Sequence, residues 1–240
     1  MHQSWFRCIV VLKLIIMTKQ LRYYDLILAG FAAILLISNL AATKLIAIGP
    51  FITDGGAILF PLAYIFGDVL TEVYGYKYAR RAIWTAFGVM ILAVLAFTVV
   101  RYMPAAPEYV NQSAYEAVLG FFPRIVVASL AAFLVGSFVN SYVLAKLKVK
   151  TAGKYLGVRL IGSTAIGELL DTIVFGLVAF AGILSATDML VFILVGWVFK
   201  TGVEIVLLPV TYRIIAFIKK GEALDRYDTK TDFNPFTTRV

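Results

Sequence analysis

The chain has 240 residues, of which 61% are hydrophobic and only 15% charged, with a mean hydropathy of +0.90. Soluble domains carry about a quarter charged residues, so an ordinary water-soluble protein is excluded. A single histidine, His2, and a single cysteine, Cys8, exclude a disulfide framework and argue against a zinc or haem centre, so no metal and no cofactor is expected.

In residues 1–23 the apolar stretch from Cys8 to Met17 is broken by Lys13, is too short to span a bilayer and lacks a small-residue cleavage site. It reads as an interfacial helix or as an over-extended start ahead of Met17. Six apolar runs of about 20 residues follow, which predicts an all-α integral membrane protein with six transmembrane helices. The first covers about Tyr24 to Ile48 and closes at Gly49-Pro50. The second covers about Ala57 to Gly75, opened by the turn-like Asp54-Gly55-Gly56. The third lies near Ala82 to Tyr102, ahead of Pro104 and Pro107; the fourth near Val118 to Ala145; the fifth near Leu160 to Leu184; the sixth near Met189 to Ile218. Residues 24–220 thus form one six-helix domain, and 221–240 a C-terminal tail.

Short cytoplasmic loops of membrane proteins carry an excess of lysine and arginine. The segment before the first span, the 2-3 loop, the 4-5 loop and the tail hold 17 of the 22 bases, whereas the alternate loops hold only Arg101. N- and C-termini are therefore expected to be cytoplasmic. The net charge of +8 then reports topology and contact with anionic membrane lipid, and no direct nucleic-acid partner is expected.

The remaining bases, Lys44, Arg124, Arg159 and Lys200, lie in or at the edges of spans with Asp68, Glu72, Glu168, Asp171 and Glu204. A charge at the centre of a helix costs about 2.5–3.5 kcal/mol on insertion scales, so these groups should face one another or a watered cavity. Lys44, Arg124 and Arg159 are near span ends and can snorkel. The pairs Asp68/Glu72, Glu168/Asp171 and Lys200/Glu204 are three or four residues apart, which puts each pair on one helix face. Tyr64, Thr71, Ser163, Thr164, Thr172 and Thr201 extend these faces, and Asn39 and Asn140 lie in otherwise apolar helices. Two readings stay open: a ligand cavity with donors and acceptors, or ion pairs that only hold the bundle together, which buried pairs do poorly.

The run Gly67-Asp68-Val69-Leu70-Thr71-Glu72-Val73 resembles Gly167-Glu168-Leu169-Leu170-Asp171-Thr172-Ile173 at an offset of 100 residues, and Asn39 to Lys44 loosely echoes Asn140 to Lys146. With three spans in each half, the two would be antiparallel: an inverted 3+3 repeat, as found in transporters that expose a central site alternately to each side. Enzyme readings fare worse. Glu168 stands where a phosphate loop after Gly162 needs a lysine. Asp68 and Asp171 recapitulate the two carboxyls of an intramembrane aspartyl protease, but Ile65 and Phe66 do not complete its motif.

Taken together, Ser38-Asn39 with Ala42-Thr43-Lys44, Phe60-Pro61-Leu62, Asp68, Thr71-Glu72-Val73-Tyr74-Gly75, Ala79-Arg80-Arg81, Arg124 with Ser129, Arg159 to Ser163, Gly167 to Thr172, and Lys200 with Glu204 and Pro209 carry a resemblance. From about Tyr24 to Lys220 the chain resembles the queuosine precursor transporter family, within the broader vitamin uptake transporter group. The resemblance implies a transporter, not an enzyme, in the bacterial inner membrane. Its expected cargo is 7-cyano- or 7-aminomethyl-7-deazaguanine, or queuine.

The ring N–H and amine of such a base suit a carboxylate, and its carbonyl wants a donor. Asp68, Glu168 or Asp171 can fill the first role; Asn39, Lys200 or Arg124 the second. Phe60, Tyr64, Phe175 and Trp197 are candidates to stack on the ring, and Asn140 and Ser163 to add polar contacts. Lys44, Glu72 and Glu204 are candidates for coupling or gating, and Gly67 and Gly167 for close helix approach. A substrate-binding subunit of an energy-coupling-factor importer is the alternative, with small residues such as Ala29 and Ala33 docking a partner. A homodimer is a further expectation.

Overall fold

A computed structural model describes residues 21–48, 51–119 and 123–237. In chain order they form α1 (Tyr24–Ala41), a hairpin of β1 (Leu45–Ile48) and β2 (Phe51–Asp54), a 3-10 turn (Gly55–Ile58), α2 (Phe60–Val69) continuing into a π turn (Leu70–Tyr74), and α3 (Tyr76–Tyr102). The short α4 (Gln112–Leu119), α5 (Pro123–Lys150), α6 (Leu156–Phe180) and α7 (Ala186–Glu222) complete it. Among the described residues, five helices, α1, α3, α5, α6 and α7, are long and apolar enough to cross a membrane.

The expected all-helical pattern holds apart from one detail. The first apolar run does not stay helical to Ile48: α1 stops at Ala41, and residues 45–48 pair antiparallel with 51–54, Leu45 opposite Asp54 and Ile48 opposite Phe51. Ser38 fastens the 3-10 turn after this hairpin onto α1 by donating to the Gly56 carbonyl at 3.1 Å. Isoleucines and threonine suit a strand as well as an apolar helix, which is why hydropathy alone reads through the boundary.

The second apolar run is the shortest of the helices that hold the core together. Its 10 α residues pass into a π turn of 5, all of them buried. Thr71 Oγ1 donates to the Gly67 carbonyl at 2.9 Å, a back-bond inside the helix that accompanies the loosened register. The turn ends at Gly75, whose φ of +85° suits glycine. This segment packs against α1, α3, α5 and α7, so it is enclosed by helices. Its residues Ile65, Val69 and Leu70 join Phe31 and Leu35 of α1 and Ile83 and Ala86 of α3 in the apolar core, while Tyr64 and Asp68 are left for the polar core.

Helices α5 and α6 cross in close contact. A Cβ on Gly167 would stand 2.8 Å from Asn140 Cβ and 3.0 Å from the Gly136 carbonyl, and one on Gly136 would stand 2.6 Å from Tyr64 Oη and 2.8 Å from Asp171 Cβ. Only hydrogen at these two positions lets the backbones approach, the usual role of small residues in membrane helix packing. A Cβ on Gly67, by contrast, would meet nothing within 4 Å. Helix α7 opens with Ser185, whose Oγ accepts the Asp188 amide at 3.1 Å, an N-cap of the usual kind. It contains Pro209, which leaves the carbonyl one turn earlier without its intrahelical donor.

The C-terminal tail is docked. Glu222 accepts the backbone amides of Arg22 at 3.1 Å and Tyr23 at 2.7 Å, and Asp228 accepts the Tyr76 amide at 2.9 Å. Two carboxylates near the end of the chain thus cap the N-termini of α1 and α3, which have no side-chain cap of their own. Arg80 donates to the carbonyls of Asp232 at 3.0 Å and Asn234 at 2.7 Å, and Trp84 donates to the Pro235 carbonyl at 2.7 Å. The start of α1, the α2-α3 turn, the α5-α6 connection and the tail therefore meet at one end of the bundle.

Candidate functional site

Most of the buried charges fall into two clusters. The first, at the end that holds the tail, is centred on Glu72, which is 0% exposed. Arg159 grips it with both guanidinium nitrogens, Nη2 at 3.1 Å from Oε1 and Nη1 closer to Oε2. Lys219 Nζ lies 2.7 Å and Lys148 Nζ 3.5 Å from Oε1. Lys148 and Lys219 also share Asp225 of the tail. Arg159 further donates to the carbonyls of Lys154 at 2.9 Å and Gly153 at 3.2 Å, fixing the turn into α6. Burial favours the neutral form of the Asp225 carboxyl, yet the two lysines more than offset this and hold it below the usual carboxylate range. Arg159 does not snorkel outward; it is 1% exposed and turned inward.

The second cluster lies between α2, α5, α6 and α7. Lys200 Nζ is 2.6 Å from Asp171 Oδ2 and 3.3 Å from Glu168 Oε2, the latter without the alignment of a hydrogen bond. The same ammonium sits 4.6 Å from the centre of the Phe60 ring, a cation–π contact. Phe60 in turn lies 5.7 Å, centroid to centroid, from Tyr64. Asn140 Nδ2 donates to Asp68 Oδ1 at 2.8 Å, and Thr164 Oγ1 donates to Glu204 Oε1 at 2.6 Å. The Tyr64 hydroxyl, Asp68 Oδ2, Glu168 Oε2 and Glu204 Oε2 are buried without a hydrogen-bonding partner. A carboxylate pair beside an ammonium, an aromatic face and unsatisfied polar atoms is an arrangement suited to a flat ligand carrying adjacent donors and an acceptor.

Phe60, Tyr64, Asp68, Asn140, Glu168, Asp171, Lys200 and Glu204 are thus brought together, with Thr164 among them. Other residues singled out in the sequence lie elsewhere. Asn39 donates to its own helix at Leu35 O, 2.9 Å, and accepts from Ser129 Oγ at 2.8 Å, tying α1 to α5. Ser163 donates back to the Leu160 carbonyl at 3.0 Å. Phe175 joins Phe180 and Phe192 in an aromatic group, and Trp197 donates to the Ala165 carbonyl at 2.8 Å. Lys44 is exposed in the turn after α1. The Arg124 side chain lies outside the described residues, as do residues 1–20.

Sequence reasoning placed Lys148 and Lys219 among the loop and tail bases and did not find the roles of Glu222, Asp225 and Asp228. Tyr227, Phe233 and Phe236 interleaved with the tail's charges were the available signal, since aromatic residues are seldom spent on a free tail. Tyr64, Gly67, Ser137, Asn140 and Ser141 help line a cavity on the scale of one water molecule.

The family described as "Putative vitamin uptake transporter" matches residues 54–214, a stretch that holds the second cluster and Glu72, Lys148 and Arg159 of the first. The chain belongs to this vitamin uptake transporter family. It is 29% identical over 194 residues, 80% of this chain and 84% of the relative, to the "Probable queuosine precursor transporter" of Bacillus subtilis (strain 168). It is 26% identical over 181 residues, 74% of this chain and 79% of the relative, to the "Queuosine precursor transporter" of Escherichia coli (strain K12). No solved structure matches the chain. Family membership and the five apolar helices make it a multi-pass transporter of the bacterial plasma membrane, not an enzyme.

Proposed function

We propose that the protein imports a 7-deazaguanine precursor of queuosine (7-cyano- or 7-aminomethyl-7-deazaguanine, or queuine) for tRNA modification. The observation that carries this reading is that relatives matching 80% and 74% of the chain bear the name of queuosine precursor transporters. The polar core supports it. In this proposal Asp171 and Glu168 accept the ring N–H and exocyclic amine, Lys200 donates to the carbonyl, and the Phe60 and Tyr64 rings pack on the heterocycle. Asn140 completes the polar wall behind them.

In this reading the enclosed α2 with its π turn is the second of six spans, and both termini are cytoplasmic. The end of the bundle that holds Lys148, Arg159, Lys219 and the tail is the basic end, which favours that side. The matched runs at Gly67-Asp68 and Gly167-Glu168 both contribute to the polar core, as an inverted pair of halves rocking about a central site would require. Exposed apolar residues of α7 such as Val191, Leu194, Val195 and Val198 face lipid, or a second copy in a homodimer.

The test is rescue of queuosine in tRNA in a host unable to synthesise it, fed each of the three bases with and without this chain. Rescue by at least one base is expected. Failure with all three, in cells that display the protein in the membrane, would remove the substrate assignment.

A further inference from the structure

The polar core holds one feature that recognition of a base does not use. Asp68 on α2 is 0% exposed and Glu204 on α7 is 2% exposed, and the two carboxyl groups lie within hydrogen-bonding reach of each other. Each has one satisfied oxygen: Asp68 Oδ1 receives Asn140 Nδ2, and Glu204 Oε1 receives Thr164 Oγ1. The other two, Asp68 Oδ2 and Glu204 Oε2, are buried without any donor. Two buried acceptors in contact are satisfied together by one proton placed between them, and two buried like charges in contact do not both stay ionised.

The surroundings leave that proton no substitute. Lys200, one turn back on α7, is engaged by Asp171 and Glu168. Glu72, one turn on from Asp68, is engaged by Arg159, Lys148 and Lys219. From α5 the pair is faced by Asn140, from α6 by Thr164 with Glu168 a turn away, and from α2 by the Tyr64 hydroxyl, itself buried and unpartnered. Neither Asp68 nor Glu204 forms an ion pair with a base among the described residues.

We infer that Asp68 and Glu204 hold one shared proton between α2 and α7, and that uptake of this proton from outside and its release inside drives import. This rests on the proposed import of a 7-deazaguanine. With the proton bound, the pair carries one negative charge and the two helices close on it. When it leaves for the cytoplasm the pair carries two charges, and repulsion parts the helices. Both are built to yield nearby: the π turn begins two residues after Asp68, and Pro209 interrupts α7 five residues after Glu204. The base-binding Lys200 lies one turn from Glu204 on the same helix, so movement of α7 affects both ligands.

The experiment uses the full chain in proteoliposomes with labelled 7-cyano-7-deazaguanine and an imposed pH gradient, acid outside, with the membrane potential clamped. For one proton per base, a one-unit gradient should hold a roughly tenfold concentration ratio, abolished by a protonophore and indifferent to a sodium gradient. Adding base should acidify trapped pyranine. The variant Glu204→Gln, whose amide can donate to Asp68 as the proton does, should keep exchange of labelled for unlabelled base and lose gradient-driven accumulation. Exchange by the wild type without accumulation or acidification would overturn the inference, as would accumulation driven by sodium alone or undiminished accumulation by Glu204→Gln. If the variant fails to insert, the wild-type pyranine signal decides alone. Absence of exchange with all three bases would instead remove the import reading and this inference with it.

Discussion

Replacing Glu72 by glutamine should destabilise the protein more than any other single change at the basic end of the bundle. The substitution keeps the volume and one acceptor oxygen but removes the charge to which Arg159, Lys148 and Lys219 all point. Lys219 is 24% exposed at its side chain and can turn to water, whereas Arg159 and Lys148 are each 2% exposed and cannot. Asp225 is then the sole anion of the cluster, and its side chain is 43% exposed. Breaking a buried ion pair from one side costs about 3–5 kcal/mol, and retention of one acceptor favours the lower figure. At roughly 2–4 °C per kcal/mol for a chain of this size, Tm should fall by about 6–12 °C. The assay is thermal unfolding of the purified protein in detergent, repeated with Arg159→Met and with the double variant. The double variant should lose clearly less than the sum of the two single losses, because each single change strands the other's charge. A Tm within about 1 °C of wild type for Glu72→Gln would refute the view that this cluster holds α2, α5, α6 and α7 together.

Lys200→Ala and Asp171→Asn should each lower base uptake by about tenfold or more at unchanged membrane abundance, a loss in line with removing a charged hydrogen bond; uptake at wild-type level in both would make the ion pair merely structural. Gly136→Ala places a methyl 2.6 Å from Tyr64 Oη and should cost about 1–3 kcal/mol by overpacking. Gly67→Ala, which meets nothing within 4 Å, should leave Tm close to wild type, and equal losses in the two would contradict the close α5-α6 crossing. Because Asp225 is held below its ordinary value, its pairing stabilises the docked tail fully above about pH 4 and less as pH falls below that. Protease cleavage of the tail should rise on acidification into that range, and Asp225→Asn should abolish the rise; a rise unchanged in the variant would assign it to another group.

Hydropathy was enough for five long spans because lipid imposes one rule everywhere, but it misjudged the places where another rule acts. Residues 45–48 are apolar and include two isoleucines, so pairing with 51–54 competes with continued helix. The three- and four-residue spacings correctly put Asp68, Glu168, Asp171, Lys200 and Glu204 on inward faces. They could not tell that Glu72, on the face of Asp68, belongs to a different cluster, because its partners Lys148, Arg159 and Lys219 come from other helices. Nor could local patterns show Glu222 and Asp228 capping helices whose N-termini lie about 150–200 residues earlier in the chain. Asn39 illustrates the opposite limit: a polar residue in an apolar helix was legible, but its partner Ser129 depends on how α1 and α5 meet.

The central claim is that this chain by itself moves a 7-deazaguanine base through its polar core. Its most direct test is the time course of labelled 7-cyano-7-deazaguanine in proteoliposomes containing only this protein, with Asp171→Asn as control. The account predicts saturable entry into the lumen, competed by unlabelled base and strongly reduced in the variant. Binding of the label with no release into the lumen, as for a subunit that needs a separate ATPase to move its ligand, would contradict it.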